Sequence, residues 1–499
     1  MVKNSLYDLI QSMTMSEKRH FKIFSSKHVI GQNNDYVGLF DALAKQRAYD
    51  EVALKKAPFV KNLPAEKNYL YHLVLRSLNV FHDSSSPKNQ VYGLLKSIEV
   101  LYHKGLYAQA LKMVNKAKKI AEQNELFVQS LAIVELEIEL LSKQFQYSEA
   151  SYQIEESKKV IQQLENFSTL QKVTTDSYEA RLEIGTSRSL EDSKKLKSFL
   201  TLDGVGKANF PLTKRAEMYQ LGLNLTHAYF VGDEKVTLEL TEKMTALYEE
   251  YPHLISYSTI GYVSSLYNLH NAYVGAKKPK QAEKVLLKLE DCKGKYGIPT
   301  SNNIGARVFF YATNIRLTQH LKKDQYDLAK SLIDSFDKEV EKFTPRIGKP
   351  QLYEFYFLRA KYHFVSGEYR KALRFSNMIL NDLKFKVRAD LLSVVRLLNL
   401  LIHYELKNDF TLDYIAKNTF SYLRKKKRLF KVEDELIKFI TNHHKANNLK
   451  EQIADLRQLE REMRGFKKDQ FELSPFSLFD FEMWAKAKIA ERSIYSYGK

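Results

Sequence analysis

One short pattern recurs along this chain and limits its fold more than any other feature. Gly367, Tyr369 and Ala372 stand between two helical runs, 352–365 and 373–383. A glycine there can take the positive φ needed where one helix stops. The tyrosine is large enough to plug the gap between two helices, and the small alanine three residues later lets the second helix approach the first. Gly105, Tyr107 and Ala110 repeat the pattern, with weaker copies at Phe145, Tyr147 and Ala150, at Lys277 and Ala282, and at Asp324, Tyr326 and Ala329. A helical hairpin cannot bury its apolar face alone, so successive copies must stack on one another.

The turns begin at 105, 145, 232, 277, 324 and 367, with a degenerate one at Asn408, giving intervals of 40, 87, 45, 47, 43 and 41 residues. The double interval predicts another turn near its middle, where Gly185 opens a Gly-Thr-Ser-Arg-Ser stretch. Gly105, Gly185, Gly232 and Gly367 are therefore expected in interhelical turns. On the two full copies of the pattern, with Ala360 and Ala117 at the small-residue positions of a first and a second helix, residues 90–440 resemble the tetratricopeptide repeat family. The family's first-helix tryptophan is missing from every copy, since the single tryptophan is Trp484. The spacing also exceeds that family's length of about 34 residues and reaches the range of HEAT and armadillo repeats. The resemblance implies an all-α, right-handed α-solenoid of elongated hairpins with helical caps at both ends.

The ends of the chain read differently from the repeats. Residues 1–86 are expected to form an N-terminal helical cap. Within them, 67–81 places Leu70, Leu73, Val74, Leu78 and Phe81 on one helical face, which needs a cover and suits packing on the first repeat. Pro58 and Pro64 punctuate the connection before it, and Asp83, three serines and Pro87 mark a boundary. The repeat array follows over 87–445. Residues 446–499 read as capping helices and an aromatic tail crowded with Phe476, Phe479, Phe481 and Trp484. Two readings of that tail are open: it folds back over the last face of the array, or it is a linear motif offered to another protein.

Charge narrows the partner without naming it. There are 78 Lys and Arg against 59 Asp and Glu, a net +19, which favours nucleic acid, an anionic membrane surface or an acidic protein, or serves solubility alone. Arg424, Lys425, Lys426, Lys427 and Arg428 are consecutive. Five successive positions cover every face of a helix, so the block cannot be wholly buried. It is a candidate contact for an anionic partner, or a solvated turn whose cations sit near a helix C-terminus. The 31 tyrosines and 29 phenylalanines fall mostly at helical spacing, so they read as core filling more than as a base-stacking platform.

Cys292 is the only cysteine, which leaves no intramolecular disulfide or thiolate cluster and fits a reducing compartment. Asp8 interrupts what would be the apolar core of a secretory signal. The most hydrophobic window, 391–404, carries Arg396, Asn399 and His403 and is too short to span a bilayer. A cytoplasmic chain without integral membrane insertion is the expectation. The glycine-rich stretch 202–208 has Thr201 where a phosphate-binding loop needs its first glycine and Ala208 where it needs a hydroxyl, so it reads as a connector. His443 and His444 are adjacent and point in different directions on a helix. No catalytic residue, cofactor or metal ligand is expected. The expected function is a non-enzymatic scaffold binding a protein or peptide along the inner surface of the array, the role the family resemblance implies. The alternative is a nucleic-acid-binding or regulatory protein that uses a basic face.

Overall fold

The computed structural model describes residues 4–26, 35–207, 209–295, 303–323, 325–343, 347–382, 388–443, 448–492 and 494. Ala208, Asp324 and His444 lie outside the described residues. Among those described there is no β-strand. The chain divides into two compact units, Met1–Glu165 and Asn166–Lys499.

The first unit opens with α1 (Ser5–Ser12), α2 (Met15–Ser26), α3 (Asp35–Lys45), α4 (Glu51–Lys55) and α5 (Leu63–Phe81). Asp50 caps α4 by accepting from the N–H groups of Val52 and Ala53, both at 3.0 Å. Asn62 caps α5, and Pro64 lies in its first turn, where a missing N–H costs nothing. The helix therefore begins at Leu63, so Pro64, expected in the connection, lies in the helix and Pro58 alone punctuates the connection. Leu70, Leu73 and Val74 are buried with Leu6, Ile10, Phe21, Leu39 and Phe40. The apolar face of α5 is thus covered by α1 to α3, which precede it, and Asp83 to Pro87 mark a junction inside the unit.

Regularity sets in with α6 (Pro87–His103), α7 (Tyr107–Gln123) and α8 (Phe127–Lys143), each of 17 residues. The middle residue of each following turn is left-handed: Gly105 (φ 73°), Glu125 (φ 48°) and Phe145 (φ 60°). The next N–H then reaches back across the turn, Leu106 to Leu101 O, Leu126 to Ala121 O and Gln146 to Leu141 O, each at 2.9 Å. This is the Schellman arrangement, which satisfies carbonyls that the helix end leaves unpaired. Two such helices and two three-residue turns produce the 40-residue spacing from Gly105 to Phe145. The next turn would fall near 165, but α9 (Tyr147–Ile184) runs through that position for 38 residues. Its second half carries one buried stripe, Phe167, Leu170, Val173, Ser177, Ala180 and Ile184.

The second unit continues with α10 (Leu190–Thr201), α11 (Lys214–Val231), α12 (Glu234–Glu250), α13 (Pro252–Tyr257), α14 (Thr259–Gly275) and α15 (Pro279–Lys295). Then come α16 (Asn303–Lys322), α17 (Tyr326–Phe343), α18 (Lys349–Val365), α19 (Tyr369–Leu380), α20 (Ala389–Glu405) and α21 (Asp409–Lys425). The last are α22 (Lys431–His443), α23 (Leu449–Phe466), α24 (Ser474–Leu478) and α25 (Phe481–Ile489). Helices pack in neighbouring pairs, α11 on α12, α14 on α15, α16 on α17, α18 on α19, α20 on α21 and α22 on α23. The first members also touch in sequence, α14 on α16, α16 on α18, α18 on α20 and α20 on α22.

The left-handed turn residues here are Gly232 (φ 78°), Lys277 (φ 56°), Gly367 (φ 75°), Lys407 (φ 54°) and Lys427 (φ 54°). The degenerate turn is centred on Lys407, one residue before Asn408. Ala110 and Ala372 are fully buried, while Tyr107 and Tyr369 lean back on Tyr102 and Phe364 of the preceding helix, with ring centroids 5.8 and 5.4 Å apart. The aromatic filling is plain at Phe310, Phe336 and Phe355, whose rings lie 5.0 and 3.7 Å apart in succession. In the tail, Phe479, Phe481 and Trp484 are buried. Trp484 meets Tyr404 and Phe439 edge-on and donates its indole N–H to Glu405 Oε1 at 2.8 Å. These rings are packed into the unit's own core, so they are not presented as an exposed motif. No helix among the described residues is long and apolar enough to cross a membrane.

Because nothing lies within 4 Å of where a Cβ would stand at Gly367, a side chain there strains the backbone alone. Gly367→Val is expected to cost about 1–2 kcal/mol. Lys407→Gly, at the corresponding turn, relieves the same strain and is expected to gain up to about 1 kcal/mol. Denaturant midpoints that move in opposite directions bear this out, and midpoints that move together refute it.

Candidate functional site

Gly185 (φ 64°) differs from the other turn glycines. An added Cβ would stand 2.7 Å from the backbone nitrogen of Asp390, so only glycine lets the chain pass that point. The segment beyond α9 does not turn straight into a hairpin. The Ser187 N–H donates to Phe230 O at 3.0 Å, the Thr186 hydroxyl donates to Asp390 Oδ2 at 3.2 Å, and Ser189 caps α10. The beginning of the second unit is thereby held against helices more than two hundred residues later.

Arg188 is the centre of that contact. Its Nε donates to Phe471 O at 2.7 Å, Nη2 to Glu472 Oε2 at 2.6 Å and Nη1 to Glu433 Oε1, while the guanidinium stacks 4.1 Å from the Phe430 ring centre. Glu433 and Glu472 are themselves buried. They face the start of α22, where Leu429 and Phe430 offer no capping side chain. Glu433 Oε2 accepts from the Phe430 N–H at 3.3 Å, and Glu472 accepts from the Lys431 and Val432 N–H groups at 3.1 and 3.2 Å. Three otherwise orphaned donors and one arginine thus share two carboxylates.

The basic block divides at this place. Arg424 and Lys425 end α21, Lys426 and Lys427 form its turn, and all four are exposed. The Lys427 N–H bonds to Arg424 O at 3.0 Å and the Arg428 N–H to Leu423 O at 2.7 Å, so four cations surround the negative end of the helix. The left-handed turn swings Arg428 inward, where it is buried and pairs with Asp192 at 3.3 Å. Only Arg424, Lys425, Lys426 and Lys427 remain on the surface.

Beside the Arg188 contact lies a polar recess. Tyr178 and Arg181 come from α9, Tyr229 from α11, Tyr267 from α14, Glu354 from α18 and Arg388 from the approach to α20. Arg388 holds Asp390 in a two-pronged pair at 3.0 and 2.6 Å and reaches Glu354 at 4.0 Å. Burial pushes Asp390 up, but the Arg388 charge and hydrogen bonds, with the Leu391 N–H and Thr186 hydroxyl, bring it down to about 2. Glu354 goes the other way: burial raises its carboxyl despite the charges of Arg388 and Arg181. Burial also lowers Arg181, and the like charge of Arg388 adds to that. Tyr178 and Tyr229 nevertheless keep 43% and 47% of their surface accessible, and the Glu354 side chain keeps 33%.

None of Arg188, Glu433, Glu472, Arg181, Glu354 or Arg388 stood out in the sequence. Each is a lone charged residue in an ordinary helical or turn context. The one usable signal was the glycine at 185 followed by small polar residues and an arginine.

Arg188→Met should destabilise the second unit by about 3–5 kcal/mol, because it leaves two buried carboxylates facing each other without their cation. A calorimetric melt unchanged by this substitution would refute the closure. Asp390, with a folded value below its unfolded one, contributes stability above about pH 4 that is lost as pH falls through 4 toward 2, amounting to about 2 kcal/mol. Glu354, shifted upward, opposes folding at neutral pH and relents on acidification. Urea midpoints taken from pH 6 to pH 2.5 should therefore fall less steeply for Asp390→Asn than for the unsubstituted chain.

Comparison with protein-family models, with curated proteins and with solved structures returns no match to this chain.

Proposed function

We propose that the chain is a non-enzymatic scaffold, a tetratricopeptide-like right-handed α-solenoid that binds an extended peptide segment of a protein partner. The observation that carries this reading is the recess lined by Tyr178, Arg181, Tyr229, Tyr267, Glu354 and Arg388, contributed by α9, α11, α14, α18 and the approach to α20. A peptide running along such a surface touches several pairs at once, and its specificity is set by side chains far apart in sequence. Accessible tyrosines suit that use, since they offer contact area and a hydroxyl at low entropic cost. A reducing, cytoplasmic setting fits the buried Cys292, whose thiol burial pushes up to about 11. The exposed Arg424, Lys425, Lys426 and Lys427 support a second reading, nucleic-acid binding by a basic face.

Selection of displayed random peptides on the immobilised full-length protein separates the two. Under the first reading, enriched peptides bind with micromolar Kd and lose at least ten-fold in affinity for a Tyr229→Ala, Glu354→Ala double variant. Under the second, a 30-nucleotide RNA or DNA binds at low salt, and replacing the four exposed basic residues by serine lowers both affinity and salt dependence. Peptides indifferent to the double variant, found together with salt-sensitive nucleic-acid binding, would reverse the order of preference.

A further inference from the structure

Arg181 is the one guanidinium of the recess without an acceptor. Its nearest neighbours are aromatic, with Cζ lying 5.0 Å from the Phe230 ring centre and 5.9 Å from that of Tyr229. It makes no hydrogen bond or ion pair among the described residues. Arg388 is occupied by Asp390, Arg428 by Asp192 and Arg188 by Glu433 and Glu472. Those two glutamates also spend their oxygens on the N–H groups of Phe430, Lys431 and Val432. A guanidinium carries five N–H donors in a planar fork that matches a carboxylate. Held away from bulk water without an acceptor, it is poised to gain from one.

We propose that Arg181 anchors a carboxylate of the bound ligand, with the accessible Tyr229 beside it. The inference rests on the peptide reading above and supplies its chemistry. Charge selects a carboxylate over a phosphate. Arg181 and Arg388 bring two positive charges; Asp390 returns one negative charge, and Glu354 stands 4.0 Å from Arg388 as a second acid. With two acids already present, a monoanionic carboxylate meets less repulsion there than a dianionic phosphate. The carboxylate comes from the peptide C-terminus or from an acidic side chain.

Three synthetic pools of N-acetylated hexapeptides test this by equilibrium ultrafiltration with the full-length protein and mass-spectrometric counting. One pool lacks Asp and Glu and ends in a free carboxylate, the second is its C-terminal amide, and the third is an amide pool that includes Asp and Glu. Retention of the first pool over the second by at least ten-fold assigns the C-terminus, and retention of the third over the second assigns an acidic side chain. Either preference should disappear in Arg181→Gln, survive in part in Arg181→Lys, and persist unchanged in Lys243→Gln, an exposed substitution on α12. Millimolar inorganic phosphate should not displace the retained peptides. Circular dichroism melts of the Arg181 variants confirm that the fold is intact. If the pools bind without regard to carboxylate or to Arg181, or phosphate displaces them, the carboxylate anchor is wrong while peptide binding stands. If no pool is retained at all, both fall together.

Discussion

A guanidinium removed from water is costly unless acceptors surround it, and the second unit is built around meeting that need at Arg188. Neither acceptor glutamate is near it in sequence: Glu433 sits in the first turn of α22, and Glu472 comes from the chain after α23. The stacking partner Phe430 and the carbonyl of Phe471 come from the same two places. Helical pairs that touch only their neighbours place no condition on how far apart the first and last of them end up. The Arg188 contact does place such a condition, because it exists only when the start and the end of the unit meet. Its net energetic worth against a well-packed apolar core is small, since desolvation of the ions opposes their attraction. Breaking half of it costs more than removing it whole, because a buried charge is then left uncompensated.

That closure also fixes the side chains of the recess. Gly185 has to pass against the Asp390 backbone for Arg188 to arrive, and the hydrogen bond from Thr186 to Asp390 fixes the same point from the other side. Asp390 in turn orients Arg388, whose other edge faces Glu354. The recess is therefore defined by the chain that bounds it, and its charges are set by a run of fixed contacts. Asp390 stays ionised because Arg388 is bidentate to it; burial raises the Glu354 carboxyl, and the charges of Arg388 and Arg181 offset that only in part.

Much of the architecture could be read from residues, and the parts that could not share a physical cause. Helices announce themselves by apolar spacing, and the Gly-Tyr-Ala turns at Gly105 and Gly367 are visible because glycine is the default at positive φ. The same turn is occupied by Glu125, Phe145, Lys277, Lys407 and Lys427, residues with no preference for that conformation. There the fold imposes the turn and overrides the local cost. A 20-residue spacing from Gly105 to Glu125 to Phe145 was the remaining clue, and it fails where α9 runs straight through 165. Pro64 shows the converse: expected in the connection, it lies in the first turn of a helix that Asn62 caps. Of the recess and the Arg188 contact, only the stretch at Gly185 gave any sign. Long-range ion pairs leave no periodicity for a single sequence to display.

Arg181 and Arg188 make the argument in its smallest form. They stand on either side of Gly185, and both are largely withdrawn from water. The chain that turns at Gly185 delivers Arg188 into a nest of fixed acceptors, and it leaves Arg181 on the rim of the recess with aromatic rings for neighbours. The first has no capacity left and can only hold the fold together. The second keeps every donor free, at an energetic cost that packing against Phe230 and Tyr229 offsets only in part. On the reading proposed above, the two arginines divide the tasks of closing the second unit and meeting a ligand.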